Sequence, residues 1–458
     1  MALARVFEAF VKESPVTVML RGILEYALPP ERIDELFREH ARSQYEDELL
    51  FSTTVGVLML PVAGMRKSVN AAYQALKDKI EVSVTSLYNK LQGTELQVSR
   101  ALVRETAARL EPVIRALKAT LPPLLPGLRL KIVDGNHLSG TEHRLTETRT
   151  LHSQPLPGQA LVVLEPELML ATDVFPCEDA YSQERSLLDD VLETVQPKDC
   201  WLADRNFCTT DFFFGLARRQ AYFVIRQHGS TLYGKQLVGR RRLMGRCDTG
   251  VVSERKLRIF DPATGEEMTL RRITVELDEP TSDGDTEIHI LTNLPARRAS
   301  ALKVADVYRR RWTIENAFQE IEQALRSEIN TLCYPKAALL CFSVGLLLYN
   351  TLSALKAALR SVHGEAAQNL SGYYLSEEIG AVYSGMMIAI RPGHWTKAFS
   401  QLTARQMAHR LNDLAHHVNP TRFAKSKRGP KLPPPKRTGG LREKHVSTAR
   451  LLEARMPA

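Results

Sequence analysis

The spacing of hydrophobic positions divides this chain of 458 residues into segments of different secondary structure. Up to about residue 120, apolar side chains recur three and four positions apart, as in Ile33, Leu36 and Phe37, which is the spacing of an amphipathic helix. A Pro- and Gly-rich stretch then interrupts the pattern at residues 121–127. We therefore expect a helical N-terminal domain over residues 1–122, with a possible role in DNA binding.

Two short helices are predicted inside this first domain, between Ser83 and Val103, with a break at Gly93. Thr94 and Gln97 have the spacing of a capping box at the start of the second helix. Two helices joined in this way can form a helix-turn-helix that reads DNA, and a plain helical hairpin explains the pattern equally well. The candidate base contacts are Gln92, Gln97 and Arg100.

Short apolar runs replace the helical pattern after residue 123. Runs of this length predict strands, and the amphipathic stretches between them predict helices. The predicted strands cover residues 131–138, 160–164, 168–174, 200–207 and 221–227, and the predicted helices cover residues 184–195 and 210–219. Because helix and strand alternate after three initial strands, we expect an α/β fold with a mixed sheet, whose first half is residues 123–228.

The pattern changes again in the second half of the chain. In residues 229–297 polar and apolar positions alternate around turns that contain Gly265 and Gly284, which predicts a β-rich insertion. Helical spacing returns in residues 298–370, which we assign to the second half of the α/β core. Residues 371–458 are expected to form a C-terminal helical region with a basic tail that is mobile without DNA.

Charge is concentrated near the C-terminal end. The net charge is +9, and the segment from Thr421 to Val446 contains nine Lys or Arg residues and one acid. The remaining chain is therefore nearly neutral. Such a segment favours a polyanion such as DNA as a partner, and a solvated charged segment is the simpler alternative. The candidate phosphate contacts in it are Lys425, Lys427, Arg428 and Lys431.

Cysteine usage and hydropathy argue against several other classes of protein. The six cysteines include no C-x-x-C pair, which argues against a structural zinc site and favours reduced thiols. The N-terminus lacks the apolar segment of a signal peptide. The most apolar run, residues 337–349, is too short to span a bilayer and is expected to be a buried core helix. We therefore expect a cytoplasmic protein with no membrane partner.

Three acidic residues are placed where they could carry chemistry. Asp134 and Asp204 each end a predicted strand, and open α/β sheets build their sites at the carboxyl ends of strands. Each also has a structural explanation. Asp134 precedes Gly135 as in a hairpin turn, and Asp204 could pair with Arg205 or cap the residues after it. The third acid, Glu315, lies in a predicted helix.

The predicted helix around Glu315 brings further groups to the same face. Tyr308, Arg311 and Glu315 have the three- and four-residue spacing that aligns side chains on one side of a helix. A solvated Arg–Glu pair is the simpler explanation, but the bulky neighbours Trp312 and Ile314 favour the wall of a half-buried cleft. A Tyr hydroxyl and an Arg guanidinium on this face could hold a DNA phosphate.

Three clustered carboxylates suit one kind of reaction. In-line cleavage of a phosphodiester must stabilise the entering and the leaving oxygen, which two cations roughly 3.5–4 Å apart can do. Mg²⁺ prefers carboxylate oxygens, and without a cation the three acids would repel one another. Asp134, Asp204 and Glu315 are therefore candidate ligands of two Mg²⁺ ions, which Mn²⁺ could replace.

The motifs around these acids resemble those of a known family. Residues 133–135, residues 202–207 and the pattern Tyr308-x-x-Arg311-x-x-x-Glu315 are similar in order and spacing to DDE transposases of bacterial insertion sequences. The insertion-sequence-four family is the most similar branch. Residues 221–226 and 311–315 add to the resemblance, which covers about residues 125–350.

This resemblance implies both a fold and a reaction. The implied fold is a ribonuclease-H-like catalytic core with a β-rich insertion between the second Asp and the Glu. Asp134, Asp204 and Glu315 are implied to be catalytic Mg²⁺ ligands, and Tyr308 and Arg311 are implied to contact the transposon end. The implied reaction hydrolyses the 3′ end of the transposon, after which the freed 3′-hydroxyl attacks target DNA. Because two ends are processed together, a homodimer on DNA is expected, at the bacterial nucleoid.

One position departs from the family pattern. The family has a Lys seven residues after the Glu, whereas this chain has Glu322 there, and the nearest base on the predicted helix is Arg326. The phosphate contact of that Lys is lost or moved to Arg326. The alternative function is therefore a catalytically inactive protein, derived from a transposase, that binds terminal repeats. A different ribonuclease-H-like nuclease, such as a junction resolvase, is disfavoured by the long β insertion and the Tyr-Arg-Glu pattern.

Overall fold

The computed structural model describes residues 3–44, 48–229, 232, 234–281, 284–426 and 446–454. The strands in these residues are β1 (Arg129–His137), β2 (Pro155–Leu156), β3 (Gln159–Glu165), β4 (Leu170–Cys177), β5 (Asp199–Ala203), β6 (Tyr222–Arg226), β7 (Gln236–Cys247), β8 (Gly250–Phe260), β9 (Glu267–Leu277), β10 (Glu287–Thr292) and β11 (Val446–Ser447). Nine of them form one sheet in the order β4-β3-β1-β5-β6-β10-β9-β8-β7, and β11 pairs with β2.

The first five strands of the large sheet have a mixed arrangement. β3 is antiparallel to both β1 and β4, whereas β1, β5 and β6 run parallel to one another. A three-stranded antiparallel unit followed by two parallel strands is the arrangement of a ribonuclease-H-like core. The predicted α/β fold class is therefore confirmed.

Both faces of this core sheet are covered, as near-continuous apolar strands require. All seven residues of β3 are buried, and they alternate between two hydrophobic clusters. Leu161 and Val163 belong to a smaller cluster that also contains Trp201, whereas Val162 and Leu164 belong to the main core. The period of two in the strand thus divides its side chains between two layers of helices.

The predicted β-rich segment extends this sheet. β10 pairs with β6 in the core, and β9, β8 and β7 follow as antiparallel neighbours. The alternating positions that predicted the strands are buried on one side of β8 and β9, as in Val252 and Ile273. β7, at the edge, is exposed along almost its whole length.

The helices are α1 (Glu8–Glu13), α2 (Pro15–Ala27), α3 (Pro30–His40), α4 (Phe51–Val62), α5 (Val69–Leu76), α6 (Val84–Gly93), α7 (Leu96–Ala116), α8 (Leu188–Glu193), α9 (Thr210–Arg218), α10 (Ala301–Arg309), α11 (Trp312–Leu325), α12 (Pro335–His363), α13 (Gly372–Ala389), α14 (Pro392–Trp395), α15 (Ala404–Ala415) and α16 (Thr448–Glu453). Around α12, helices from the N-terminal third (α2, α4, α6 and α7) and from the C-terminal third (α15) pack together. One hydrophobic core consequently contains residues from Phe7 to Phe423.

α12 confirms the expected buried core helix. Among the described residues it is the one helix long and apolar enough to cross a membrane, but its apolar window is entirely buried inside the protein. Its Asn350 is fully buried and satisfies the backbone hydrogen-bonding groups of one residue in β4. The Asn350 amide donates to the carbonyl of Ala171 and accepts from its N–H, both at 2.8 Å.

The helical pair near residue 93 differs from the prediction in its cap and in its surroundings. Glu95 is the N-cap residue of α7 but makes no side-chain capping bond, and the Thr94 hydroxyl donates to the carbonyl of Lys90 at 2.8 Å, so the predicted capping box is wrong. Arg100 forms two hydrogen bonds with Asp173, at 2.8 and 2.9 Å. α7 packs along α12 and β4, so one side of it lies in the core of the protein.

The end of the chain also differs from the prediction. Residues 446–454 were expected to be part of a mobile tail, but β11 pairs with β2, and α16 follows it. Asp179 anchors them, since its carboxylate accepts from the hydroxyl of Ser447 at 2.8 Å and from Arg450 at 2.7 Å. The basic segment therefore joins two folded parts of the protein instead of trailing from one.

Candidate active site

The register of the parallel pair β1–β5 sets the two aspartates side by side. Ile132 is paired with Leu202, and Asp134 and Asp204 each follow two residues later. Adjacent strands lie about 4.8 Å apart, so both acids reach the same carboxyl edge of the sheet. This is the position at which open α/β sheets bind ligands.

Each aspartate also has a local backbone contact. The carboxylate of Asp204 caps a short 3₁₀ turn, Arg205–Phe207, by accepting from the N–H of Asn206 at 2.7 Å. This turn ends the strand at Ala203, so the predicted strand over residues 200–207 is too long. The other oxygen of Asp204 stays available. Asp134 accepts from the N–H of Gly135 at 3.0 Å.

Arg311 links Asp134 to Glu315. Its Nη1 donates to Asp134 at 2.7 Å, and its Nη2 donates to Glu315 at 2.6 Å. The Arg311 and Asp134 side chains are only 14% and 15% exposed, whereas Glu315 is 44% exposed. One guanidinium fork therefore holds the first Asp and the Glu together.

The helix that carries Tyr308, Arg311 and Glu315 is interrupted, contrary to the prediction of a single helical face. α10 ends at Arg309 and α11 begins at Trp312. The ψ angle of Arg310 is −6°, far from the helical value of about −42°. The Arg311 N–H consequently bonds to the carbonyl of Tyr308, three residues back, at 3.0 Å. The tightened turn still leaves Arg311 within reach of both acids.

Burial and charge shift two pKa values in this site. Burial raises the pKa of Asp134 to about 7; Arg311 opposes this shift, while the negative charges of Asp204 and Glu184 add to it. Burial raises the pKa of Tyr308 to about 12, with Arg311 and Arg226 opposing. Asp204 and Glu184 therefore lie close enough to Asp134 for their charges to add to this shift.

Glu184 is a site residue that the sequence did not reveal. It begins a 3₁₀ turn, Glu184–Leu187, where an α-helix was predicted. Its Oε2 accepts from the side chain of Asn206 at 3.1 Å. Its Oε1 would lie 1.9 Å from a Cβ at Gly135, so only glycine fits there without movement of Glu184. No local pattern marks this acid, because its neighbours come from the ends of two other strands.

The donor set suits a hard cation, although the acids are not arranged around one. Among the described residues, no group of three or more His, Cys, Asp or Glu side chains is close enough to hold a metal ion as it stands. Arg311 supplies positive charge between Asp134 and Glu315 instead. Carboxylate oxygens are the ligands that Mg²⁺ prefers, and a cation would relieve the repulsion from Asp204 and Glu184 that adds to the effect of burial on the pKa of Asp134.

The remaining predicted DNA contacts lie elsewhere. Arg326 is exposed and follows the end of α11 as its C-cap, with φ of 38°, so it is not on the helix as predicted. Glu322 is exposed on α11. Lys425 is exposed, and its N–H donates to the carbonyl of Asn369 at 2.8 Å. The other three candidates, Lys427, Arg428 and Lys431, lie outside the described residues.

Comparison with known proteins agrees with this architecture. The sheet order defines the class as ribonuclease-H-like. Residues 127–351 match the family model of the transposase DDE domain. Residues 127–351 therefore form a transposase DDE domain, as the resemblance of the motifs predicted. The match does not specify the insertion-sequence-four branch.

Individual relatives are distant. The protein y4zB of Sinorhizobium fredii (strain NBRC 101917 / NGR234), whose name describes it as a transposase, is 30% identical over 129 residues, which are 28% of this chain. The match spans only 34% of that protein's length. A cryo-EM structure of the piggyBac transposase synaptic complex with hairpin DNA is 10% identical, with a TM-score of 0.39 over 90% of this chain and 87% of that chain. At that score the likeness carries no weight for the function.

Proposed function

We propose that this protein is the transposase of an insertion sequence of the insertion-sequence-four branch. It cleaves DNA at the transposon ends and transfers the freed 3′ ends to target DNA. The observation that carries this proposal is the register that sets Asp134 beside Asp204, with Arg311 linking Asp134 to Glu315. The β-rich strands β7–β10 lie between Asp204 and Glu315 in the chain, as the branch requires.

The proposed roles follow from the contacts of each side chain. Asp134, Asp204 and Glu315 would hold two Mg²⁺ ions, or Mn²⁺ in their place. Bound there, the cations would activate water and stabilise the leaving oxygen. To serve as a ligand, Glu315 must release Nη2 of Arg311. The freed guanidinium and the neighbouring Tyr308 would then hold a phosphate of the transposon end.

Glu184 and Asn206 are proposed to position the two aspartates. Their hydrogen bond connects the turn after β5 with the turn before α8. Because Glu184 also lies against Gly135, it fixes the separation of the two strand ends. Neither residue is required to touch the reacting phosphate in this role.

The assembly is part of the same proposal. Two transposon ends react together, so we propose a homodimer on DNA, in the bacterial cytoplasm and at the nucleoid. Arg326, Lys425, Lys427, Arg428 and Lys431 are proposed to contribute phosphate contacts outside the acids. If the complex neutralises six or more phosphates, raising the salt concentration from about 50 to 200 mM should weaken binding on the order of a thousandfold.

The rival function is binding of terminal repeats without catalysis. The exposed Glu322, at the position of the family's Lys, is the observation that favours it. The rival gives no reason for two aspartates at adjoining strand ends, since carboxylates near phosphate weaken DNA binding. If it holds, DNA is bound but never cut.

Alanine variants separate the two functions. Asp134→Ala, Asp204→Ala and Glu315→Ala should each abolish cleavage of a fragment carrying the element's own terminal repeat, yet keep its binding in a gel-shift assay. Glu377→Ala is the matched control, because this acid is exposed on α13 and stands at no position that the family pattern assigns to DNA. Normal cleavage by any of the three site variants would refute the assigned acids.

A further inference from the structure

A large cavity lies away from the acidic site. Its volume is about 910 Å³, and it is lined by the end of α7, one side of α12, residues 364–370 and Lys425. Met169, in the turn between β3 and β4, also lines it. Because Asp134 pairs with Val162 and this turn follows Glu165, the cavity lies toward the opposite end of β1 and β3 from Asp134.

One stripe of α12 faces this cavity. Tyr349, Ser353, Lys356 and Arg360 are four, three and four positions apart, which places them on one side of the helix. Lys356 pairs with Glu320 of α11, so its charge is compensated inside the protein. Burial nevertheless lowers the pKa of Lys356, with Glu320 opposing the shift.

Arg360 has no such partner. Its Nη2 donates to the carbonyl of Ala119 at 3.3 Å, and its buried Nε has no hydrogen-bond partner among the described residues. No carboxylate in the described part of the chain forms an ion pair with it, and burial lowers its pKa. A half-buried cation with a buried, unused donor is unfavourable unless an anion arrives.

Among the charged groups that line the cavity, cations outnumber acids. Lys118 and Lys425 line it together with Arg360, and Glu365 is the one acid there that no Lys or Arg pairs among the described residues. The balance is therefore positive, which suits an oxyanion.

From this geometry we propose that the cavity binds a phosphate group, held chiefly by Arg360 and Lys425. Arg360 can present Nε and an Nη together to two oxygens of one phosphate. A backbone phosphate of DNA and a free phosphorylated ligand share this chemistry. Lys425 favours the backbone, because it lies two residues before the basic segment 427–445 in the sequence. The proposal does not depend on cleavage at the acidic site.

The test uses the full chain with inorganic phosphate and with a DNA duplex of arbitrary sequence. We compare the wild type with Arg360→Gln, Lys425→Gln and Arg405→Gln. Arg405 is the matched control, since it is exposed on α15, outside the cavity, and loses the same charge. Thermal unfolding is followed with phosphate and with sodium chloride of equal ionic strength, and DNA affinity is measured across salt concentrations.

Phosphate should raise the melting temperature of the wild type and of Arg405→Gln more than chloride does, but not that of Arg360→Gln. If the ligand is the DNA backbone, the slope of log K against log salt should fall by about 0.9 in Arg360→Gln and in Lys425→Gln relative to the control. An unchanged slope with retained phosphate binding would identify a free phosphorylated ligand instead. Should Arg360→Gln not fold, exposed Lys425→Gln carries the comparison.

Two results together would overturn the proposal. Phosphate would give the wild type no more stabilisation than chloride does, and the three variants would bind DNA with the same salt slope. The Asp204→Ala variant keeps the cavity intact, so loss of cleavage there leaves this test unaffected.

Discussion

Arg311 is the residue that organises the acidic site. It is the only described cation that forms ion pairs with both Asp134 and Glu315. A guanidinium can donate two parallel hydrogen bonds in a fixed plane, whereas an ammonium is a point charge on a flexible stem. The bridge between two acids therefore depends on the shape of the group as well as on its charge.

Arg311→Lys should consequently lower the cleavage rate by about 10- to 100-fold, which corresponds to roughly 1.4–2.7 kcal/mol. Lys cannot hold Asp134 and Glu315 at once, so the phosphate-binding group loses its position. Arg309→Lys is the matched control, because Arg309 pairs with exposed Asp248 at 2.8 Å. Single-turnover cleavage measures both; equal rates for the two variants would contradict this role of Arg311.

The pKa of Asp134 predicts how stability depends on pH in EDTA. The folded protein keeps the Asp134 proton up to about pH 7, whereas the unfolded chain releases it near pH 4. Between these values the folded state binds more protons, so its free energy of unfolding falls as the pH rises. Asp134→Asn removes this penalty and should gain on the order of 4 kcal/mol over the wild type at pH 8, with little difference at pH 4.

Urea unfolding across this pH range measures the difference. Glu184→Gln removes a negative charge beside Asp134 but keeps the side-chain shape, so its stability should stop falling at a lower pH than that of the wild type. A constant difference between Asp134→Asn and the wild type at all pH values would contradict the raised pKa.

The sequence predicts those site residues whose position follows from the period of a strand. Asp204 follows the apolar strand β5, and Asp134 lies within β1 just past its pairing with β5, so their place at the carboxyl edge was predictable. Glu184 was not, because it reaches the site from a connection between β4 and α8. Contacts of this kind depend on the ends of three chain segments, and no local spacing records them.

Among the elements, strands were easier to predict than helix ends. Buried strands are short apolar runs, and β3 and β6 lie close to where such runs predicted them. The break between α10 and α11 was not predicted, since residues 308–315 keep helical spacing through it. The break lies between Arg309, which pairs with Asp248, and Arg311, which pairs with Asp134. Ion pairs with distant parts of the chain therefore prevail here over the helical spacing of the sequence.

The contact of α12 with the sheet can be tested by substitution. Asn350→Leu would leave the N–H and the carbonyl of Ala171 buried without partners, at a cost of about 2–5 kcal/mol in unfolding free energy. Thr351→Val is the control, because the hydroxyl of Thr351 bonds only within the helix, to the carbonyl of Leu347. Urea denaturation gives both values, and a loss below about 1 kcal/mol for Asn350→Leu would contradict the bracing role.

Across the whole molecule, the two ends of the chain surround the DDE domain. The N-terminal helices and α15 share one core with α12, and residues 446–454 return to Asp179. The sequence did not predict that residues 446–454 pack against β2 and Asp179, because their contacts are one short parallel pairing and a few polar bonds. The basic segment thus has a folded anchor on each side: Lys425 beside the proposed phosphate cavity, and β11 on the strand β2.

We propose that this edge of the sheet cuts DNA. The most direct measurement is cleavage of a fragment with the element's own terminal repeat, in Mg²⁺, in Mn²⁺ and in EDTA, by the wild type and by Asp204→Ala. We predict cutting at the end of the repeat by the wild type in either metal, and none in EDTA or by the variant. Tight binding of the repeat without cutting in either metal would contradict the claim and favour the non-catalytic DNA-binding function.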